Sequence, residues 1–331
     1  MTRSSLIQRG LAVLLVCTLV ASVRAQPQRE TFTNLKVLPK DVSPGELRAV
    51  MGGFTRALGV RCGYCHVGEE GKPIRHEDFA LDDKPAKRTA RAMMRMVQEL
   101  NDAYLAKLET RADPPVRVEC ATCHRGAPQP RMLQDVLKQA YDHGGLDSTI
   151  ARYQGLRDRY YGRAVYDFGE ASLAILAGQI GEAGHPADAV RLQAFNVEQN
   201  PKSVFAKRQH ATAAISLAFA QGGSDSGAAA YHALQGQYGP QVVSDALLGD
   251  VGHELLREHQ MEPALAALKL NVADHPASAR AHEGLGEAYE QHGDLELAAQ
   301  SYQRALEIEP GNDDARHRLD ALKARAGGKG N

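Results

Sequence analysis

Two pentapeptides constrain this chain more than any other stretch: Cys62-Gly-Tyr-Cys65-His66 and Cys120-Ala-Thr-Cys123-His124. Two thiols about one helical turn apart, followed at once by an imidazole, are the pattern of covalent c-type haem attachment. The thiols add to the two vinyl groups of one haem, and the histidine then stands under the iron as proximal ligand. The motifs therefore predict two covalently bound haem c groups. Cys62 and Cys65 hold one, with His66 on its iron; Cys120 and Cys123 hold the other, with His124 on its iron. Other uses of the same residues fit less well. A four-thiolate zinc site would leave the histidine after each pair without a purpose. A thiol–disulfide exchange site needs a βαβ setting, and neither copy has one. Structural disulfides are allowed by the count alone.

The chain has five cysteines. Cys17 lies in an N-terminal apolar run and the other four lie in the motifs, so none is left for a structural disulfide. Residues 1–25 read as a secretory signal peptide: Arg3 and Arg9, the apolar run from Leu11 to Ala21, then Val23-Arg24-Ala25 before Gln26. An uncleaved anchor is the competing reading. A lipoprotein is disfavoured because bulky Val16 stands where a small residue is expected. Export suits haem c, which is attached outside the cytoplasm, so the expected location is periplasmic or otherwise extracytoplasmic. Formal net charge is −1, with the acidic excess towards the C-terminus. Neither half has the basic excess of a nucleic-acid binder, so nucleic acid is not an expected partner.

Residues 26–43 read as an extended arm. Ser43 is a good N-cap, with Pro44 at the first helical position and Glu46 completing a capping box. A helix should run from there to about Leu58, with Leu47, Val50, Met51, Phe54 and Leu58 on one face and Gly59 ending it. Because that helix stops just before Cys62, it should lie beside the first haem. Met51, two turns back, is then either a core residue or an iron ligand opposite His66. Residues 67–83 form a polar loop in which His76 reads as an exposed histidine. A second helix should run from Pro85 to about Leu108, capped by Asp83 or its neighbour. Met93 and Met96 share one face of it, and one of them is the candidate ligand for the second iron. Lys84, Lys87, Arg88, Arg91 and Arg95 make a basic stripe on the same helix. It faces haem propionates, an acidic partner, or simply solvent. Asp113-Pro114-Pro115 then breaks the chain, and the Pro-rich stretch from Arg125 to Pro130 closes the domain.

Residues 31–130 resemble the cytochrome c subunit family of photosynthetic reaction centres. The likeness is carried by Asn34 to Pro39, by Phe54 to Val60 running into Cys62, by Ala92-Met93-Met94-Arg95-Met96-Val97 with Asn101 and Tyr104, and by Val118 through Gly126. In that family a helix, a turn and the attachment motif bind each haem, and the sixth ligand is usually a methionine on the helix. The resemblance implies Met51 for the first haem and Met96 for the second, with Met93 in reserve. Photosynthetic members carry four haems, one of them bis-histidine. This chain has two motifs, which makes it a short dihaem relative.

Beyond residue 130 the pattern changes. Residues 131–169 read as a helical connector broken at His143-Gly144-Gly145. Further on there is an internal repeat. Gly286, Tyr289, Ala298, Tyr302, Ala305 and Pro310 stand at the spacing of a tetratricopeptide unit, and a shift of 34 residues gives Gly252, Leu255, Ala264, Leu268, Asn271 and Pro276. A weaker copy has Ala177, Ile180, Ala189, Gln193, Asn196 and Pro201. Residues 202–244 hold a degenerate fourth unit with an insertion near Gly222-Gly223-Ser224-Asp225. Stacked helix pairs make a solenoid whose concave face typically binds protein or peptide, although a bare scaffold or dimer spacer is also consistent. His253, His259, His282 and His292 read as surface histidines; the start His253-Glu254 lacks the second histidine of a zinc-protease motif.

The expectation is thus an all-α protein, a small dihaem c-type cytochrome domain followed by a tetratricopeptide-like α-solenoid. Its parts are residues 1–25 as signal peptide, 26–130 as haem domain, 131–169 as connector and 170–325 as repeats. The leading function is electron transfer outside the cytoplasm with a redox partner protein, by a carrier rather than an enzyme. Protein or peptide would dock on the repeats, and any membrane association would come through a partner. The alternatives are a haem enzyme of peroxidase or nitrogen-oxide reductase type, or a haem-based redox or gas sensor, each needing one open iron.

Overall fold

The computed structural model describes residues 32–68, 79–109 and 113–327. The signal-peptide reading, Cys17 and His76 lie outside the described residues. Every regular element among those described is helical. The chain divides into two compact units, Met1–Thr122 and Cys123–Asn331. No described helix is long and apolar enough to cross a membrane.

In the first unit, α1 spans Pro44–Leu58. The Ser43 hydroxyl accepts from the Glu46 N–H at 3.2 Å, and the Glu46 carboxylate accepts from the Ser43 N–H at 2.9 Å. Both partners of the capping box are therefore present, and Gly59 ends the helix in the left-handed conformation. α2 spans Pro85–Glu99 and continues through a π-helical turn, Leu100–Tyr104, and a 3₁₀ turn, Leu105–Lys107. Lys84, the neighbour of Asp83, occupies the cap position of α2, and its side chain makes no capping bond. Pro85 costs that end nothing, because a first-turn N–H has no helical partner. A five-residue helix, α3, covers Cys120–His124.

The second unit begins with α4, Leu133–Tyr160, whose backbone leaves the helical region at Gly144 and Gly145. It is therefore two arms broken where the sequence reading placed the break. Both arms share one core with α5 (Glu170–Glu182) and α6 (Pro186–Gln199): Leu137, Tyr153, Leu173, Leu176, Ile180 and Leu192 are all fully enclosed. α7 runs Val204–Tyr238 with non-helical Gly223 inside it, so it too is a helix pair. α8 (Asp245–Arg257) and α9 (Met261–Asp274) pack with it, followed by α10 (Ala279–His292) and α11 (Leu295–Ile308), and α12 (Asp313–Gly327) closes the array.

The repeat positions explain why helices pair at this period. A Cβ on Gly252 would stand 2.4 Å from Leu268 Cγ, and one on Gly286 would stand 2.7 Å from Tyr302 Cε1. Glycine is needed at both places because the partner helix passes too close for a side chain. The Asn196 amide donates to the Glu170 carbonyl at 2.9 Å, and Asn271 repeats the bond to Asp245 at 3.0 Å. Each bond ties the end of a second helix to the start of the first. In the last unit Ala305 takes this place and is simply buried.

Candidate haem-binding site

At the first motif, Cys62–Tyr64 forms a 3₁₀ turn. The N–H groups of Cys65 and His66 both bond the Cys62 carbonyl, at 3.2 and 3.0 Å, so His66 follows Cys62 by about one turn. Cys62 and Cys65 are free thiols, Cys62 exposed and Cys65 half-buried. His66 is only 9% exposed. Its ring meets Phe79 edge to face at 4.9 Å, and Nδ1 is buried with no partner. An unclaimed ring nitrogen is what a metal-ligating imidazole requires. Burial, then the nearby Lys87 charge, lowers the His66 pKa and favours the neutral ring. Burial likewise raises the Cys65 thiol.

The second motif is helical. Glu119 N–H donates to the Thr122 hydroxyl at 3.0 Å, and Thr122 N–H to the Glu119 carbonyl at 3.0 Å. Cys120 is half-buried and Cys123 is an exposed free thiol. The His124 Nδ1 lies 3.0 Å from the Ala127 carbonyl. A carbonyl can only accept, so Nδ1 carries the proton and Nε2 is left with its lone pair for a metal. The turn that brings this carbonyl back has positive φ at Arg125 (49°) and Gly126 (96°), with Ala127 buried beneath it.

The expected sixth ligands are less constrained. Met51 is half-buried on α1. Met96 and Met93 are 44% and 40% exposed on α2, so both stand on an open side of that helix and burial does not choose between them. Among the described residues of the first unit, Ala57 is the one buried apolar side chain, whereas Tyr64, Phe79, Met93, Met96, Tyr104 and Val116 stay exposed. Apolar surface in that proportion calls for an apolar partner, and two porphyrin rings would supply one. The donor set and this apolar lining both fit covalent haem.

The basic stripe of α2 is largely spent inside the unit. Lys84 donates to the Gly63 carbonyl. Arg88 bonds the Asp82 carbonyl at 2.7 Å, and Arg91 bonds the Asn34 carbonyl at 3.1 Å. Asp82 collects Lys36 at 2.6 Å, Arg91 at 2.8 Å and Lys87 at 3.1 Å. Arg91, then Lys36, hold its carboxyl well below the usual carboxylate range. The stripe fastens the N-terminal arm and the loop ahead of α2 to the helix, which helical spacing alone does not reveal. Asn101 is a second fastening that sequence reasoning missed. It is nearly buried, and its amide brackets Val118, donating to the carbonyl and accepting from the N–H, each at 2.8 Å. The extended lead into Cys120 is thereby pinned to the π-helical turn after α2. In the sequence Asn101 stands out only through the family resemblance it helps to carry.

Two Cys-x-x-Cys-His motifs thus lie in or beside short helices, and stacked helix pairs follow them. Residues 12–149 match the family described as photosynthetic reaction centre cytochrome C subunit, and residues 279–312 match the tetratricopeptide repeat. Cytochrome c-554 of Chloroflexus aurantiacus is 39% identical over 72 residues, 22% of this chain and 15% of that protein. The photosynthetic reaction center cytochrome c subunit of Thermochromatium tepidum is 33% identical over 104 residues, 31% of this chain and 22% of that protein. The chain thus spans less than a third of the length of the curated relatives it matches. Among solved structures, MamA 41-end from Desulfovibrio magneticus RS-1 is 21% identical, covers 48% of this chain and 86% of its own, and has a TM-score of 0.29.

Proposed function

We propose that this chain is a dihaem c-type cytochrome that carries electrons outside the cytoplasm. Residues 26–130 form the dihaem domain and residues 170–325 are repeats that dock a partner protein or peptide. His66 and His124 are the proximal ligands. Met51 is the sixth ligand of the first iron and Met96 of the second, with Met93 in reserve. With six ligands on each iron there is no open position, so the chemistry supplied by the bound haem is one-electron transfer without substrate binding. The Ala127 carbonyl holds the His124 imidazole in one tautomer, and the exposed apolar side chains of the first unit would exclude water from a bound haem. The observation that carries this reading is the His124 Nδ1 bond to the Ala127 carbonyl, which leaves the Nε2 lone pair available to a metal. Signal-directed export places the protein where haem c is attached, and any membrane association runs through a partner.

The test is carbon monoxide binding to the dithionite-reduced protein, produced in a host that matures c-type cytochromes and followed by visible absorption. The expected result is a c-type spectrum that carbon monoxide leaves unchanged. A shifted Soret band would mean an open iron, and the enzyme or sensor readings would replace the carrier.

A further inference from the structure

If His66 is an iron ligand, a reading on which this inference rests, Lys87 has a role its place in a basic helix does not announce. Helical residues of its type are normally solvated, yet Lys87 is only 9% exposed. Its ammonium donates to the Phe79 carbonyl at 2.8 Å and the Leu81 carbonyl at 2.6 Å, and reaches Asp82 Oδ1 at 3.1 Å. All three donors of the group are therefore used, which is the condition for burying a charged amine. The ring of Phe79 meets His66 edge to face at 4.9 Å, so the Lys87 ammonium is bound to the residue that packs on the imidazole.

We infer that Lys87 is a positioning residue for the Phe79–His66 contact, a buried cation that raises the reduction potential of the first haem. The buried positive charge opposes the extra charge of the ferric state, and burial shields it from solvent screening, so it raises the potential. The loop does not depend on Lys87 alone. Asp82 still holds Lys36 at 2.6 Å, Arg91 at 2.8 Å and the Asn34 amide at 3.0 Å. Lys36 is half-exposed on the far side of the same carboxylate and makes a control of equal formal charge.

The experiment is a spectroelectrochemical titration of the full haem-loaded chain, comparing wild type with K87M, K87R and K36M. K87M is expected to lower one of two midpoint potentials and leave the other in place. K87R, which keeps a buried charge and donors, is expected to restore most of the shift, and K36M to move neither potential. If K87M does not accumulate, K87Q carries the test, since it keeps a donor without the charge; a lowered potential supports the inference and an unchanged one overturns it. A haem-loaded wild type with K87M at wild-type potentials, or K36M shifting as much as K87M, overturns the role of Lys87 alone. A wild type that takes up no haem overturns the ligand reading first.

Discussion

Replacing Gly252 with alanine tests the packing of the repeat unit. The new Cβ would stand 2.4 Å from Leu268 Cγ and 2.6 Å from Cδ2, where carbon atoms normally rest about 3.5–4.0 Å apart. Leu268 is wholly enclosed in the shared core of α7 to α10, so it has no open space to swing into. Either the helices part by about an ångström or Leu268 leaves its rotamer, and overpacking of this kind costs about 1–3 kcal/mol. Alanine returns about 0.5–1 kcal/mol in a helix interior. The net effect is a loss of about 1–2 kcal/mol. Gly178 supplies the contrast. It lies exposed in α5 with nothing within 4 Å of its added Cβ, so the same change there should gain about 0.5–1 kcal/mol. Urea unfolding followed by far-UV circular dichroism reads both: Gly252→Ala lowers the midpoint and Gly178→Ala raises it. A Gly252→Ala protein as stable as wild type would refute the close approach.

The turn between paired helices predicts the reverse sign at one site. His259 has φ of 60°, whereas Gly184 (φ 90°) and Gly293 (φ 98°) fill the same place in other units, so His259→Gly should stabilise by up to about 1 kcal/mol, read as a higher urea midpoint. Removing the Asn271 amide by Asn271→Ala leaves the Asp245 carbonyl without its bond and should cost about 1–3 kcal/mol in the same assay. A pH effect is expected between neighbouring units, where His253 lies 3.2 Å from Glu287. The Glu287 hydrogen bond raises His253 above its ordinary 6.5, so that contribution is full below pH 6.5 and fades as pH rises through the raised value. Glu287 is lowered below 4.5, chiefly by His253, so its share is full above pH 4.5 and fades as pH falls through the lowered value. Melting temperatures of wild type and His253→Gln should therefore differ most between about pH 4.5 and 6.5 and converge towards pH 8; a gap independent of pH would count against the pair.

Local signals were the most legible in the sequence. Ser43, Pro44, Glu46 and Gly59 bracket α1 because capping chemistry acts within one turn. Gly144 and Gly145 break α4, and the glycines at 252 and 286 stand where helices cross, because each follows from short-range geometry repeated at a fixed period. The two Cys-x-x-Cys-His motifs, on which the proposed haem sites rest, are likewise short-range patterns. What the sequence hid depends on groups far apart in the chain. Lys87 looked like one of five equivalent cations, and only the folded loop shows it enclosed by the Phe79 and Leu81 carbonyls. Asn101 entered only as part of the family resemblance, and its role shows once Val118, 17 residues on, meets it in the fold. His253 read as a surface residue, yet it is partly buried against a carboxylate one repeat away. The choice between Met93 and Met96 rests on three residues of spacing along one exposed helix side, which neither pattern nor burial separates.

On the proposed function each Cys-x-x-Cys-His motif holds one covalent haem. Intact mass of the purified chain, made in a host that matures c-type cytochromes, tests it most directly, alongside a C62S/C65S variant. The account predicts the mass of the exported chain plus two haems, falling to one haem in the variant with Cys120 and Cys123 still occupied. A chain with no added haem mass, or a variant that keeps both haems, would contradict it.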